Sequence, residues 1–145
     1  MTHTLKALSL GIGLMTALPA AASGITVHKS PTCGCCTEWV EHLRENGFEV
    51  TVNDTRNLNA VKIEAGLTRA LASCHTAFVG DYVIEGHVPA ADIRRLLDEA
   101  PEAHGLAVPG MPIGSPGMEV GDRQDAYAVL LFNESGQSRV FTQYP

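Results

Sequence analysis

The stretch Ile25-Thr26-Val27-His28-Lys29-Ser30-Pro31-Thr32-Cys33-Gly34-Cys35-Cys36-Thr37-Glu38-Trp39-Val40 decides the fold of this chain. Ile25-Thr26-Val27 alternates like a short strand, and Pro31-Thr32-Cys33-Gly34 reads as a turn. From Cys36 onward Trp39, Val40 and Leu43 recur at helical spacing, until Gly47 ends the pattern. Working outward, Phe48, Val50 and Val52 alternate as a second strand. Leu58, Val61 and Ile63 predict a helix stopped near Gly66. Ala77-Phe78-Val79 and Tyr82-Val83-Ile84, on either side of Gly80-Asp81, predict a hairpin. Pro89 then suits a first helical residue, and Ile93, Leu96 and Leu97 supply that helix with an apolar face.

The order over residues 24–100 is therefore β-α-β-α-β-β-α, with a cysteine motif at the first strand-to-helix turn, which is the thioredoxin arrangement. From Pro101 to Gly121 the character changes. Pro101, Pro109, Pro112 and Pro116, with five glycines, predict no regular element there. Tyr127 to Phe132 and Ser138 to Phe141, joined around Gly136, predict a terminal hairpin. The expected fold class is α/β: a thioredoxin-like core over residues 24–100, then a Pro/Gly-rich methionine loop and C-terminal hairpin over residues 101–145, packed on the same domain.

At 145 residues, with 45% hydrophobic and 18% charged residues and a mean hydropathy of +0.05, the chain fits one globular domain and a short appendage. Its 10 Lys+Arg against 16 Asp+Glu give a net charge of -6 without basic clusters, which argues against nucleic acid or an anionic membrane surface as partner. The appendage is residues 1–23. Lys6 precedes the apolar run Ala7 to Leu18, and Pro19 leads into the small residues Ala20, Ala21, Ala22 and Ser23, the pattern of a cleaved secretory signal. The apolar run falls short of the roughly 20 residues a spanning helix needs. Export to the periplasm, with no membrane span after signal removal, is the expectation.

All four cysteines lie beyond the leader: Cys33, Cys35, Cys36 and Cys74. An exported chain ordinarily uses four cysteines as two staples, but three clustered within four positions serve no such framework. Cys33 and Cys36 form a C-x-x-C pair at a helix start, where unpaired backbone N–H groups favour thiolate. Such a pair cycles between dithiol and disulfide, or it holds a metal. Cys35 favours the metal, because an extra adjacent thiol hinders clean exchange whereas a thiophilic ion uses every sulfur in reach. Cys74-His75 stands where a thioredoxin arrangement usually carries a cis-proline that shields the cysteine pair. No proline occurs between Pro31 and Pro89. The plain alternative is a buried cysteine beside a solvated histidine.

Met111 and Met118, the methionines outside the leader, both fall in the Pro/Gly-rich loop. Thioether sulfur is a soft ligand, although loop methionines also serve as packing. Thiolates with optional imidazole and thioether favour Cu(I), with Zn(II) or an iron–sulfur cluster behind it. His28, His42, His87 and His104 are read as solvated or satisfied side chains, with His87 at a rim. Ser115 lacks the context of a serine hydrolase nucleophile.

Together, Cys33-Gly34-Cys35-Cys36, Ser73-Cys74-His75-Thr76, Val83-Ile84-Glu85-Gly86-His87-Val88-Pro89, Val108-Pro109-Gly110-Met111-Pro112 and Gly114-Ser115-Pro116-Gly117-Met118-Glu119 resemble the CopG-type periplasmic proteins. That resemblance implies a thioredoxin-like fold, a cysteine-held copper cluster and a role in copper resistance, with redox cycling of copper among the implied roles. It implies Cys33, Cys35, Cys36 and Cys74 as ligands with His75 close by, and copper as the bound ion. Other periplasmic copper-handling proteins are the expected protein partners, though the resemblance does not settle which. A thiol-disulfide oxidoreductase using Cys33 as nucleophile and Cys36 as resolving thiol is the competing reading. The residues leave open whether the protein turns over as an enzyme.

Overall fold

Ile25 and Val27 enter a large apolar core, and the strand that carries them sits inside a mixed sheet. The computed structural model describes residues 24–145, so the leader expected over residues 1–23 lies outside the described residues. In chain order the elements are β1 (Gly24–Lys29), α1 (Gly34–Glu45), β2 (Glu49–Asp54), α2 (Leu58–Glu64), β3 (Thr76–Val79), β4 (Tyr82–Glu85), α3 (Ala90–Glu99), β5 (Gly105–Ala107), β6 (Tyr127–Phe132) and β7 (Ser138–Tyr144). The seven strands form one sheet in the order β2-β1-β3-β4-β5-β6-β7. β1 runs parallel to β2 and antiparallel to β3, while β4 pairs antiparallel with β3 and parallel with β5. β6 and β7 complete the sheet as an antiparallel pair beside β5.

Alternation along the strands deals side chains to two cores, as a pleated sheet covered on both faces requires. Ala77, Val79, Ile84, Leu106, Val129 and Leu131 join Trp39, Val40 and Leu43 of α1 and Ile93 and Leu96 of α3 on one face. Val83, Ala107 and Phe132 face the other way, onto a smaller cluster with Ala65 and Leu71 just beyond α2. Trp39 is fully buried, and its indole N–H donates to the Val88 carbonyl at 2.8 Å, so its one polar atom is satisfied. That bond ties α1 to the segment leading into α3.

The expectation of no regular element between residues 101 and 121 is corrected by β5. Three residues, one of them glycine, carry too little alternation to announce a strand, yet all three are buried against β4 and β6. Gly105 is required there, because a Cβ would lie 1.8 Å from the Val83 carbonyl oxygen. β7 is also longer than expected, running on to Tyr144. It is anchored to α3: the Tyr144 hydroxyl donates to Asp92 at 2.7 Å, and Arg95 lies 3.6 Å over the Phe141 ring.

Candidate metal centre

α1 begins two residues earlier than the expected start at Cys36. Cys33 is the N-cap, and Gly34, Cys35 and Cys36 form the first helical residues. The whole motif is thus wound into the helix start, with Cys36 fully buried and Cys33 and Cys35 half-buried. A disulfide joins Cys33 to Cys36, while Cys35 and Cys74 are free thiols. The Cys33 and Cys35 sulfurs lie 3.5 Å apart. All four cysteine sulfurs lie within 4.8 Å of one another.

Cys74 arrives from the loop before β3, and its placement depends on buried polar contacts. Glu85 of β4 is fully buried. Its carboxylate accepts from the Ser73 N–H at 2.6 Å, from the Thr76 hydroxyl at 2.7 Å, and from the Lys62 ammonium of α2. Ser73 in turn donates its hydroxyl to the Gly110 carbonyl, which fastens the Pro/Gly-rich loop beside Cys74. The same loop closes on α1 at Gly117. Its φ is +83°, and a Cβ there would sit 2.7 Å from the Cys35 carbonyl and 2.8 Å from the Trp39 nitrogen. Met111 and Met118 follow directly on these two fastening points. Met111 is 52% exposed and Met118 half-buried.

His75 and His87 complete the cluster around Cys74. The Cys74 sulfur lies 3.4 Å from His75 Nδ1 and 3.0 Å from His87 Nε2. His87 Nδ1 faces the Pro116 carbonyl at 2.8 Å. A carbonyl can only accept, so Nδ1 carries the proton and Nε2 offers its lone pair toward the sulfur. His75 is fully buried, its ring tilted at 37° against that of Trp39 with 4.3 Å between centroids, and its Nε2 has no hydrogen-bond partner. Burial, reinforced by the neighbouring Cys35, pushes the Cys74 thiol up to about 12.

The expectation of His87 as a rim side chain is thereby corrected: it is fully buried at the site. The signal lay in the hairpin register. Thr76 pairs with Glu85, and continuing the ladder outward sets His75 against Gly86 and Cys74 against His87. The Gly86 N–H donates to the His75 carbonyl at 3.0 Å, in keeping with that continuation. Glu85 was also missed, since nothing in its spacing distinguishes a buried anchor from a solvated strand-end carboxylate. The other histidines of the described residues stay away. His28 packs edge-on against Phe78, His42 Nε2 accepts from the Ala90 N–H at 3.1 Å, and His104 pairs with the Ala65 carbonyl.

Burial lowers the pKa of His42, His75 and His87 from the ordinary 6.5; for His75, His87 and Lys62 add to it. Below 6.5 the unfolded chain takes up protons that these folded histidines resist. Their contribution to stability is therefore complete above 6.5 and is lost as the pH falls toward the folded values. Urea midpoints of the metal-free protein are expected to drop between about pH 7 and about pH 5. Equal midpoints would mean that the histidines protonate freely in the folded state.

A family model described as "Protein of unknown function, DUF411" matches residues 71–118, which span Cys74, both histidines and the methionine loop. Among solved structures, the chain is similar to one titled copper resistance protein CopG, form 2. The two share 49% identity, covering 86% of this chain and 99% of the other, with a TM-score of 0.82. Form 1 of the same protein gives 49% identity, 86% and 98% coverage, and a TM-score of 0.81. No curated protein matches the chain.

Proposed function

The chain belongs to the family of the copper resistance protein CopG, and on that premise we propose that it is an exported copper-binding protein that holds Cu(I) in its cysteine cluster. The observation that carries this reading is the meeting of four sulfurs, from Cys33, Cys35, Cys36 and Cys74, within 4.8 Å. Thiolates at such spacing suit a soft monovalent ion, and neighbouring ions can share sulfurs. The disulfide occupies two of the four, so loading requires its reduction first. Met111 and Met118, placed next to the loop's two fastening points, are the proposed thioether supplements.

The scaffold is proposed to be thioredoxin-like. The order β2-β1-β3-β4, with β1 and β2 parallel and a cysteine pair at the start of α1, supports that reading. Residues 101–145 are taken as an extension of the same domain, since β5, β6 and β7 continue its sheet. Among the described residues, no helix is long and apolar enough to cross a membrane. Periplasmic location after removal of residues 1–23 is part of the proposal, as are copper resistance and redox cycling of copper. The presence of Cys35 and Cys74 beside the disulfide weighs against plain dithiol exchange, which would need neither.

The test is an anaerobic Cu(I) titration of reduced protein against a competing chelator, with bound copper counted by native mass spectrometry. Several coppers per chain are expected. Cys35→Ser should weaken binding by at least about tenfold, the scale on which even outer-shell losses act, while the Cys33–Cys36 disulfide still forms. Unchanged stoichiometry and affinity in that variant would sink the multi-sulfur site.

A further inference from the structure

We propose that His42 is a pH-operated latch between α1, α3 and the methionine loop. Neutral, its ring fastens the start of α3 to α1. Protonated, it leaves α3 and turns to an acidic pocket that α1 shares with the loop. The latch lies outside the metal centre, and its working does not depend on copper.

α1 is bonded to the segment entering α3 through two side chains on one helical face, Trp39 and His42. The Trp39 indole donates to the Val88 carbonyl at 2.8 Å, and His42 Nε2 accepts from the Ala90 N–H at 3.1 Å. Ala90 is the first residue of α3, and its N-cap, Pro89, brings no side-chain acceptor. His42 therefore supplies from α1 the acceptor that a capping side chain ordinarily brings. The amide can only donate, so Nε2 keeps its lone pair and Nδ1 carries the proton of the neutral ring. The two bonds differ in chemistry. An indole N–H is a donor at every pH of interest, whereas imidazole offers its lone pair only while neutral. Acid removes the second bond and spares the first.

The charged ring has a place to go. An open cavity of about 160 Å³ beside His42 is lined by Glu38, Glu41 and Glu45 of α1 and by Gly117 and Glu119 of the loop. With protons on both nitrogens, the ring and the Ala90 N–H become two donors facing each other, and these carboxylates supply the acceptors that α3 lacks. Glu119 and Glu45 favour the charged ring, while burial, the largest effect, disfavours it. On the α3 side, the positive end of the helix dipole repels an imidazolium. The Asp92 carboxylate is taken by Thr142 and Tyr144, and Arg94 and Arg95 are turned to the Asn46 and Phe141 carbonyls. Burial holds the pKa of the folded ring below the ordinary 6.5, so the latch is closed at neutral pH and opens as the pH falls through that lowered value. The proton comes from solvent, and no covalent bond changes. Because Gly117 packs against α1, acidity and the position of the loop become linked.

The test is nuclear magnetic resonance of isotope-labelled, metal-free protein with its disulfide closed, titrated from about pH 7 to about pH 4. At neutral pH, a scalar coupling across the hydrogen bond should join the Ala90 amide nitrogen to His42 Nε2. As His42 takes up its proton, that coupling should vanish. The exchange protection of the Ala90 amide should fall with the same midpoint by at least about fivefold, the scale of a lost helix cap. The Glu119 amide should shift in step, while the Trp39 indole keeps its protection. Glu119→Gln removes a charge that favours the imidazolium and should move the midpoint lower. His42→Gln keeps an acceptor at similar reach and should make Ala90 protection independent of pH. A proton on Nε2 at neutral pH, or Ala90 protection that does not follow His42, overturns the proposal. So does loss of the indole bond together with that of Ala90. If the variants fail to fold, the titration of the unmutated protein decides alone. Failure here leaves the copper reading untouched, since no metal is present.

Discussion

Closing the Cys33–Cys36 disulfide in copper-loaded protein is expected to lower its Cu(I) affinity at least about a hundredfold. Two of the four sulfurs become unavailable at once, and loss of a single outer-shell partner already costs roughly 10–100-fold at metal sites. The same thiols cannot be bonded to each other and to copper, so oxidation and loading compete directly. The bond also removes Cys36, the fully buried sulfur, leaving Cys35 and Cys74, both half-buried. The measurement is bound copper against thiol content in redox buffers of stepped potential, with a chelator present. Copper should fall in step with closure. Copper that stays bound while the disulfide closes would place the ions elsewhere.

The second large effect is on stability. Glu85→Ala is expected to cost about 3–5 kcal/mol, the range for breaking one side of a buried ion pair. The Glu85 side chain is fully buried and that of Lys62 is 13% exposed, so solvent screens the pair little. Deleting the carboxylate strands the Lys62 ammonium and leaves the Ser73 N–H without its acceptor. Against a typical total of about 5–15 kcal/mol, that is a large share. Glu85→Gln keeps an acceptor and should cost less, about 1–3 kcal/mol. The pair Lys62→Met with Glu85→Leu should regain much of the loss, because it removes both charges together. Urea denaturation of the oxidised protein gives all three values. A Glu85→Ala cost below about 1 kcal/mol would mean that the carboxylate is not an anchor.

How far the sequence could be read follows from the range of each signal. Alternation at Ile25-Thr26-Val27 and Tyr127 to Phe132, and helical spacing at Trp39, Val40 and Leu43, are local, and the elements they announce exist. The cysteine cluster was legible for the same reason, being three residues in four positions. Cys74-His75 was found through an absence, the lack of proline before the third strand. His87 needed a longer inference, the counting of register outward from the Gly80-Asp81 turn, and its position between the hairpin end at Gly86 and Pro89 points toward a rim. β5 was invisible because its burial comes entirely from neighbours distant in sequence, β4 and β6. Glu85 was hidden by the same physics: its partners Lys62, Ser73 and Thr76 meet only once α2 and the hairpin are in place.

The spacing of the cysteines along the chain bears on how the protein acquires its first covalent link. Cys33 and Cys36 are 3 residues apart, whereas Cys74 stands 38 residues from Cys36. Loop-closure entropy alone favours the shorter ring by roughly 2 kcal/mol in a disordered chain. A chain meeting an oxidant before it folds would therefore close the short ring first, and Cys74 would stay unmodified until the sheet delivers it. The order of events protects the one thiol that comes from outside the start of α1, without a chaperone having to guard it.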